Sequence, residues 1–300
     1  MRVGFLGLGA MGQPMARTLL RAGLAVTGYD ADPARAEALV PDGLTVAASA
    51  AGAATGADVL VVMVQNYPQA CAALLGTDGA GGAFPALPDA ATVVITSTIA
   101  PAQARELAAH LAPRGIALVD APVSGGPGGA AAGDLTLAVS GDPTAVTRCR
   151  PVLDALGPTQ FHVGEAVGAA LTLKSVNQLL AGVHIAAAAE ALELGRRAGI
   201  PADVLMEYLR RSAGFSWMLG DRGPRMIAGE YAPPKSALAI FAKDLGIVRD
   251  LAAAHDLALP LVETALAQFE RAVAAGLAGS DDSAVIEIVR GAGVSPPEEE

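Results

Sequence analysis

Nothing limits this chain more than a short apolar run at residues 3–6 that passes directly into Gly7-Leu8-Gly9-Ala10-Met11-Gly12. The run reads as a buried strand. From Met11 onward the period is that of a helix, with Met11, Met15, Leu19 and Leu20 on one face. Gly7, Gly9 and Gly12 therefore hold the G-x-G-x-x-G spacing between a strand and a helix. The first glycine permits a tight turn, the second lets backbone approach a pyrophosphate, and the third lets the helix pack on the strand. The free N–H groups and dipole of the helix start then face an anion. A second apolar run, 25–29, ends in Asp30, eighteen residues past Gly12, where a dinucleotide fold keeps a carboxylate for the adenosine ribose. Strand, turn, helix and acid in this order predict a dinucleotide site made by Gly7, Leu8, Gly9, Ala10, Met11, Gly12 and Asp30. A carboxylate at 30 repels a 2′-phosphate, and Ala31 follows it in place of an arginine. Both favour NAD over NADP, while Arg35, one helical turn later, keeps NADP open.

Length and composition set the outer bounds. Three hundred residues suit two domains, and 52% hydrophobic with 17% charged residues is a globular composition. A formal charge of −10 argues against a nucleic-acid footprint, which needs basic stripes. Cys71 and Cys149 lie far apart with no metal-like spacing, so the expectation is a reducing compartment, the cytoplasm, and no disulfide framework. The sequence opens directly into a strand, so no signal peptide is expected. Its longest apolar tract, 179–194, is broken by His184, Glu190 and Glu193, which reads as a buried helix and not a membrane span. The four histidines and scattered acids form no metal constellation.

Along the chain, strand-like runs at 59–64, 91–96 and 116–120 alternate with helical runs at 34–40 and 101–111. That alternation predicts a parallel sheet covered on both faces, with right-handed crossovers. Residues 135–140 read as an outer strand, 143–156 as a helix, and 160–163 as the strand that closes the sheet. Beyond that no strand pattern recurs. Residues 166–197 read as one long helix, followed by helices near 202–211, 236–254, 259–275 and 282–290, and a disordered tail from 295. The expected fold is α/β: a Rossmann dinucleotide-binding domain, 1–163, then an all-helical domain, 164–300, for substrate and oligomerisation. The apolar long helix points to a homodimer or homotetramer.

Two polar loops follow strands and so belong beside a bound dinucleotide. Ser97-Thr98 carries hydroxyls that reach toward a nicotinamide ribose or cap the next helix. Asp120-Ala121-Pro122-Val123-Ser124-Gly125-Gly126 can form a nest of N–H donors for a carboxylate, or an ordinary turn. On the long helix, Lys174, Asn177 and Gln178 share a face at i, i+3, i+4, with His184 two turns beyond Asn177. A lone helical lysine is usually a solvated charge, but these flanks are too apolar for an exposed face. A partly desolvated lysine has its pKa lowered. Bringing it from about 10.4 to about 7–8 costs roughly 3–5 kcal/mol.

Four stretches together resemble the signatures of the β-hydroxyacid dehydrogenase family. They are Phe5 to Ala16, Asp120 to Gly126, Lys174-Ser175-Val176-Asn177, and Ala242-Lys243-Asp244-Leu245. Segments around Gly182 to Ala191, Ser216-Trp217-Met218 and Asp281 to Val285 are similar to the branch that acts on L-threonate. The resemblance implies an NAD-dependent oxidation of a small hydroxy acid, with Lys174 as general base. It implies substrate contacts from Ser124, Gly125, Gly126, Asn177, Gln178, His184 and Trp217, and cofactor contacts from Val64, Gln65, Gln69, Thr98 and Lys243. Oxidation of 3-hydroxyisobutyrate or reduction of tartronate semialdehyde is the alternative, and a non-catalytic NAD-binding protein the third. Thr18, Ala170 and Gln178 stand where the family usually has Asn, Gly and a second Asn.

Overall fold

The computed structural model describes residues 1–77 and 80–291. The tail expected to be disordered lies outside them. The chain divides into two compact units, Met1–Lys174 and the remainder from Ser175.

The first unit contains β1 (Arg2–Leu6), α1 (Gly12–Arg21), β2 (Ala25–Tyr29), α2 (Pro33–Glu37), β3 (Thr45–Val46), α3 (Ala50–Ala54), β4 (Val59–Val62) and α4 (Tyr67–Leu75). A two-stranded ribbon follows, β5 (Gly76–Thr77) and β6 (Ala80–Gly81), then β7 (Thr92–Ile95), α5 (Pro101–Leu111), β8 (Ala117–Asp120) and β9 (Val123–Ser124). The unit continues with α6 (Gly126–Ala132), β10 (Thr136–Ser140), α7 (Pro143–Leu156), β11 (Thr159–Gly164) and the start of α8 (Ala169–Arg197). The main sheet runs β11-β10-β8-β7-β4-β1-β2-β3, with β9 paired to β10.

Strand side chains alternate between two cores. Val3, Phe5, Val59, Val61, Val94 and Val119 join Met15, Leu19 and Cys149 on one face. Leu6, Leu60, Val62, Val93, Ile95 and Leu118 join Leu74, Leu107 and Leu111 on the other. This double burial explains why the strands read as unbroken apolar runs.

The expected fully parallel sheet needs one correction. From β8 to β3 every pairing is parallel, but β10 runs antiparallel to both β8 and β9. As expected, 135–140 is an outer strand of the sheet, next to the edge, and β11 closes the sheet beyond it. Burial decides this: four of the five β10 residues are shielded, whereas Phe161 of β11 is 56% exposed. The short strands β3 and β9 carry too few residues to show a period.

The second unit is helical. After α8 come α9 (Ala202–Arg210), α10 (Trp217–Ala228), α11 (Leu238–Ala253), α12 (Pro260–Ala272) and α13 (Ile286–Arg290). Its core joins Ile185 and Leu192 of α8 to Phe241, Leu245 and Phe269, the two phenylalanine rings stacking at 5.6 Å. Sequence reasoning missed α10 because Gly220, Gly223 and Pro224 read as helix breakers. In the fold, a Cβ at Gly223 would lie 3.0 Å from the Met206 side chain, so glycine there serves close helix packing. Ser216 caps α10 by accepting from Leu219 N at 3.1 Å. Buried ion pairs fasten it: Arg222 donates to both oxygens of Asp282 at 3.0 and 2.8 Å, and Arg225 donates to Asp281 at 2.9 Å.

Candidate active site

Each glycine of the opening turn has a different neighbourhood. Gly7 holds φ +91°, a region L side chains avoid, and its N–H donates to Tyr29 O at 3.0 Å. A Cβ at Gly12 would fall 1.9 Å from Gly7 O. Both are therefore demanded by the chain's own packing. At Gly9 a Cβ would meet only the Arg35 Nη1 tip, at 3.5 Å. Glycine at 9 thus keeps open a cradle above the start of α1, whose first N–H groups have no side-chain cap. That cradle and its donors fit a pyrophosphate. Asp30 closes the turn from below, its Oδ2 accepting from Leu8 N at 2.6 Å and Oδ1 from Asp32 N at 2.9 Å. Arg35 lies 3.9 Å from Asp30 and 3.4 Å from Asp32, so two carboxylates draw on its charge.

The loops after β4 and β7 lean on each other. Ser97 is fully buried, accepting from Val64 N at 2.8 Å and donating to Val62 O at 3.3 Å. Its hydroxyl therefore braces the β4 end and does not reach for a ribose. Thr98 is half-buried, and the N-cap of α5 is Ala100, with Gln103 Oε1 accepting from its N–H. Gln69 turns its carbonyl oxygen back to Gln65 N at 2.9 Å, fixing the loop that carries Val64 and Gln65.

On α8, Lys174 Nζ donates to Ser124 Oγ at 2.9 Å. This joins the helix amine to the turn where Gly125 and Gly126 hold φ +131° and +63°, with nothing within 4 Å of a Cβ at 126. Asp120, four residues before Ser124, is the group that sets this meeting. Fully buried, its carboxylate accepts from Gly168 N at 3.0 Å, Leu171 N at 3.0 Å and Ser140 Oγ at 2.6 Å. Ser140 Oγ in turn accepts from Ala170 N at 2.9 Å. One carboxylate thereby caps the first turn of α8 and anchors the strand leading to Ser124. Sequence reasoning assigned Asp120 no role. Its only signal was an acid at the end of an apolar strand, where a solvated charge belongs. Thr18 was another departure without a role: its hydroxyl donates to Ala130 O at 2.8 Å and ties α1 to α6, beside the glycine turn.

In the second unit, Asn177 Nδ2 donates to Gln178 Oε1 at 2.9 Å, Gln178 Nε2 to Asp244 Oδ2 at 2.6 Å, and Lys243 Nζ to Asp244 Oδ1 at 2.6 Å. The sequence spacing that put Asn177 and Gln178 together is matched, and Asp244 joins them as a residue it did not single out. His184 is half-buried. Trp217 is 66% exposed, with the Arg222 guanidinium 5.7 Å from its ring centre. Among the described residues no cluster could hold a metal ion, and no helix is long and apolar enough to cross a membrane.

Residues 2–164 match the family model for the NAD-binding domain of 6-phosphogluconate dehydrogenase, and residues 168–289 that for the NAD-binding region of NADP-dependent 3-hydroxyisobutyrate dehydrogenase. The L-threonate dehydrogenase of Cupriavidus necator is 42% identical over 96% of this chain and 96% of its own. The chain belongs to the β-hydroxyacid dehydrogenase family. Among its relatives, the NAD-dependent L-serine dehydrogenase of Pseudomonas aeruginosa is 37% identical over 95% of this chain and 96% of that one. A solved 3-hydroxyisobutyrate dehydrogenase from Salmonella typhimurium superposes with TM-score 0.89 at 44% identity, covering 96% and 99% of the two chains. This dehydrogenase is thus an NAD-binding oxidoreductase for small hydroxy acids, with a Rossmann sheet and a helical C-terminal part.

Proposed function

We infer that the enzyme oxidises L-threonate at its 2-hydroxyl to 2-dehydro-L-erythronate, with NAD in preference to NADP. The observation that carries the reading is the 2.9 Å bond from Lys174 to Ser124, which sets an amine beside the Ser-Gly-Gly turn. In this reading Ser124 and the Gly125 and Gly126 amides hold the substrate carboxylate, which orients the adjoining carbon. Lys174 Nζ, arriving neutral, takes the hydroxyl proton; in reduction the same ammonium returns it. Asn177, one helical turn along α8, holds the substrate oxygen, and Gln178, His184 and Trp217 supply the remaining contacts to a hydroxylated chain. Bound NAD supplies the acceptor for the hydride that leaves the carbinol carbon. Gly7 to Gly12 and Asp30 seat its pyrophosphate and ribose, with Val64, Gln65, Gln69, Thr98 and Lys243 as further contacts. Support for NAD comes from Asp30 at the ribose position and from Arg35, whose charge Asp30 and Asp32 already share.

Residues 1–163 are assigned to the cofactor, and residues 164–300 to substrate and oligomerisation. A cytoplasmic homodimer or homotetramer is part of the same reading. Its supports are two free cysteines and the exposed Leu173, Val176 and Leu180 along α8.

The test is the purified enzyme on L-threonate, 3-hydroxyisobutyrate and L-serine with NAD and NADP in parallel, and on tartronate semialdehyde with the reduced cofactors NADH and NADPH. L-threonate with NAD is expected to give the highest kcat/KM. A higher value on another member replaces the substrate assignment. NAD binding by calorimetry without turnover on any member refutes the catalytic reading. Lys174→Ala is expected to cost about 10²–10⁴-fold in kcat; a variant that keeps most of its turnover removes the mechanism.

A further inference from the structure

We propose that Thr18 is a positioning residue for the substrate: its hydroxyl, backed by Arg21, lets the cofactor helix α1 fix where the Ser124-Gly125-Gly126 turn stands. The proposal rests on the reading of that turn as the seat of the substrate carboxylate. Every residue involved lies in the first unit. The turn leads straight into α6, whose sequence is Gly-Pro-Gly-Gly-Ala-Ala-Ala and whose one buried residue is Ala130. Apart from Pro127 this helix has no side chain larger than a methyl, so apolar burial does little to hold it. Its entry is held by the β9–β10 ladder, in which Ser124 pairs with Thr136. Its exit needs a different hold, and α1 supplies it.

Thr18 is 6% exposed, and its Oγ1 donates to Ala130 O at 2.8 Å. The Arg21 guanidinium donates to the same hydroxyl at 2.7 Å and also to Ala131 O. Donor and acceptor chemistry gives this chain one direction. A carbonyl has no hydrogen to give and a guanidinium accepts none, so the hydroxyl donates to α6 and accepts from Arg21. A helical threonine ordinarily turns its hydroxyl to the carbonyl three or four residues back. Here it reaches a carbonyl 112 residues away. Gly133 ends α6 at φ +69°, and a Cβ there would lie 3.1 Å from Thr18 Cγ2, so methyl and hydroxyl together close the exit of α6. Thr18 stands about 9 Å along α1 from Gly12 at the usual helical rise. One helix therefore carries the pyrophosphate cradle at its start and the brace on the substrate turn near its end. Thr18 acts through α6 and needs no contact with the reacting atoms.

Thr18→Val tests the brace, because it keeps the buried shape and removes only the hydroxyl. Its kcat/KM on L-threonate is expected to fall about tenfold or more, chiefly through KM, while the NAD Kd by calorimetry stays within about twofold of the parent. Thr18→Ser keeps the hydroxyl and is expected to stay within about threefold of the parent in kcat/KM. Arg21→Met, at an exposed position, loosens the same brace from its outer side. It is expected to raise KM about threefold with NAD affinity unchanged, and it carries the test if Thr18→Val does not fold. A Thr18→Val enzyme that melts lower but keeps the parental KM has lost only a structural bond, and overturns the proposal. A parallel loss of NAD affinity overturns it as well, since the effect then lies in the cradle and not in the turn. Ser124→Ala separates the brace from the reading beneath it. Parental KM in Ser124→Ala removes the carboxylate seat and the proposal with it, whereas a raised KM there beside a parental KM in Thr18→Val removes the brace alone.

Discussion

Replacing Gly9 and Gly12 separately by alanine divides what the fold needs from what the cofactor needs. At Gly12 the added Cβ would lie 1.9 Å from Gly7 O, 2.9 Å from Gly7 C and 3.2 Å from the Phe5 ring. Cβ atoms essentially never come closer than about 3 Å to such neighbours, so α1 must move off β1 by about 1 Å. Overpacking of this kind costs about 1–3 kcal/mol. At roughly 2–4 °C per kcal/mol for a unit of this size, Gly12→Ala should melt about 2–12 °C below the parent. At Gly9 the only neighbour is the far end of Arg35, at 3.5 Å, an ordinary contact with a side chain that can swing. Gly9→Ala should therefore melt within about 1 °C of the parent, yet its methyl fills the cradle above α1. NAD affinity, measured by calorimetry on the folded protein, should fall at least tenfold, which is about 1.4 kcal/mol. Parental NAD affinity in Gly9→Ala would refute the cradle. Equal melting losses in the two variants would refute the steric argument.

Asp120→Ala leaves the donors of Gly168, Leu171 and Ser140 without their acceptor in a fully buried place. The expected loss is about 4.5–9 kcal/mol by urea unfolding, since bonds to a charged group contribute roughly 1.5–3 kcal/mol each; a loss under about 1 kcal/mol would contradict the capping role. Asp30→Ala should raise the KM for NAD about tenfold or more and narrow the NAD to NADP ratio of kcat/KM, because the ribose acceptor and the repulsion of a 2′-phosphate go together. Arg196, and after it Arg197, hold the Glu193 carboxyl down from 4.5 to about 2. A depressed carboxyl stabilises the fold above the unfolded value and loses that contribution as pH falls through 4.5 toward 2. The stability gap between parent and Glu193→Gln, measured by unfolding at stepped pH, should therefore be widest above pH 5 and close as pH approaches 2.

What was written in the sequence alone is whatever depends on neighbours along the chain. The apolar run into Gly7, Gly9 and Gly12, the acid at Asp30, and the helical spacing of Lys174, Asn177 and Gln178 are local patterns, and strand, turn and helix follow from them directly. The helix that starts at Pro143 and the helix Pro101–Leu111 were legible for the same reason. Residues that act on distant partners were not. Asp120 meets α8 across forty-eight residues or more, Gln178 meets Asp244 across sixty-six, and Ser97 turns inward to Val64 across thirty-three. A polar side chain announces its chemistry in sequence but not its partner, and burial turns the choice of partner into a strong constraint. The direction of β10 and the helicity of α10 were decided in the same way, by packing that overrode the local signal. The first residues determined that this protein would hold a dinucleotide. Tertiary contacts decided which partners Lys174, Asp120 and Gln178 would meet.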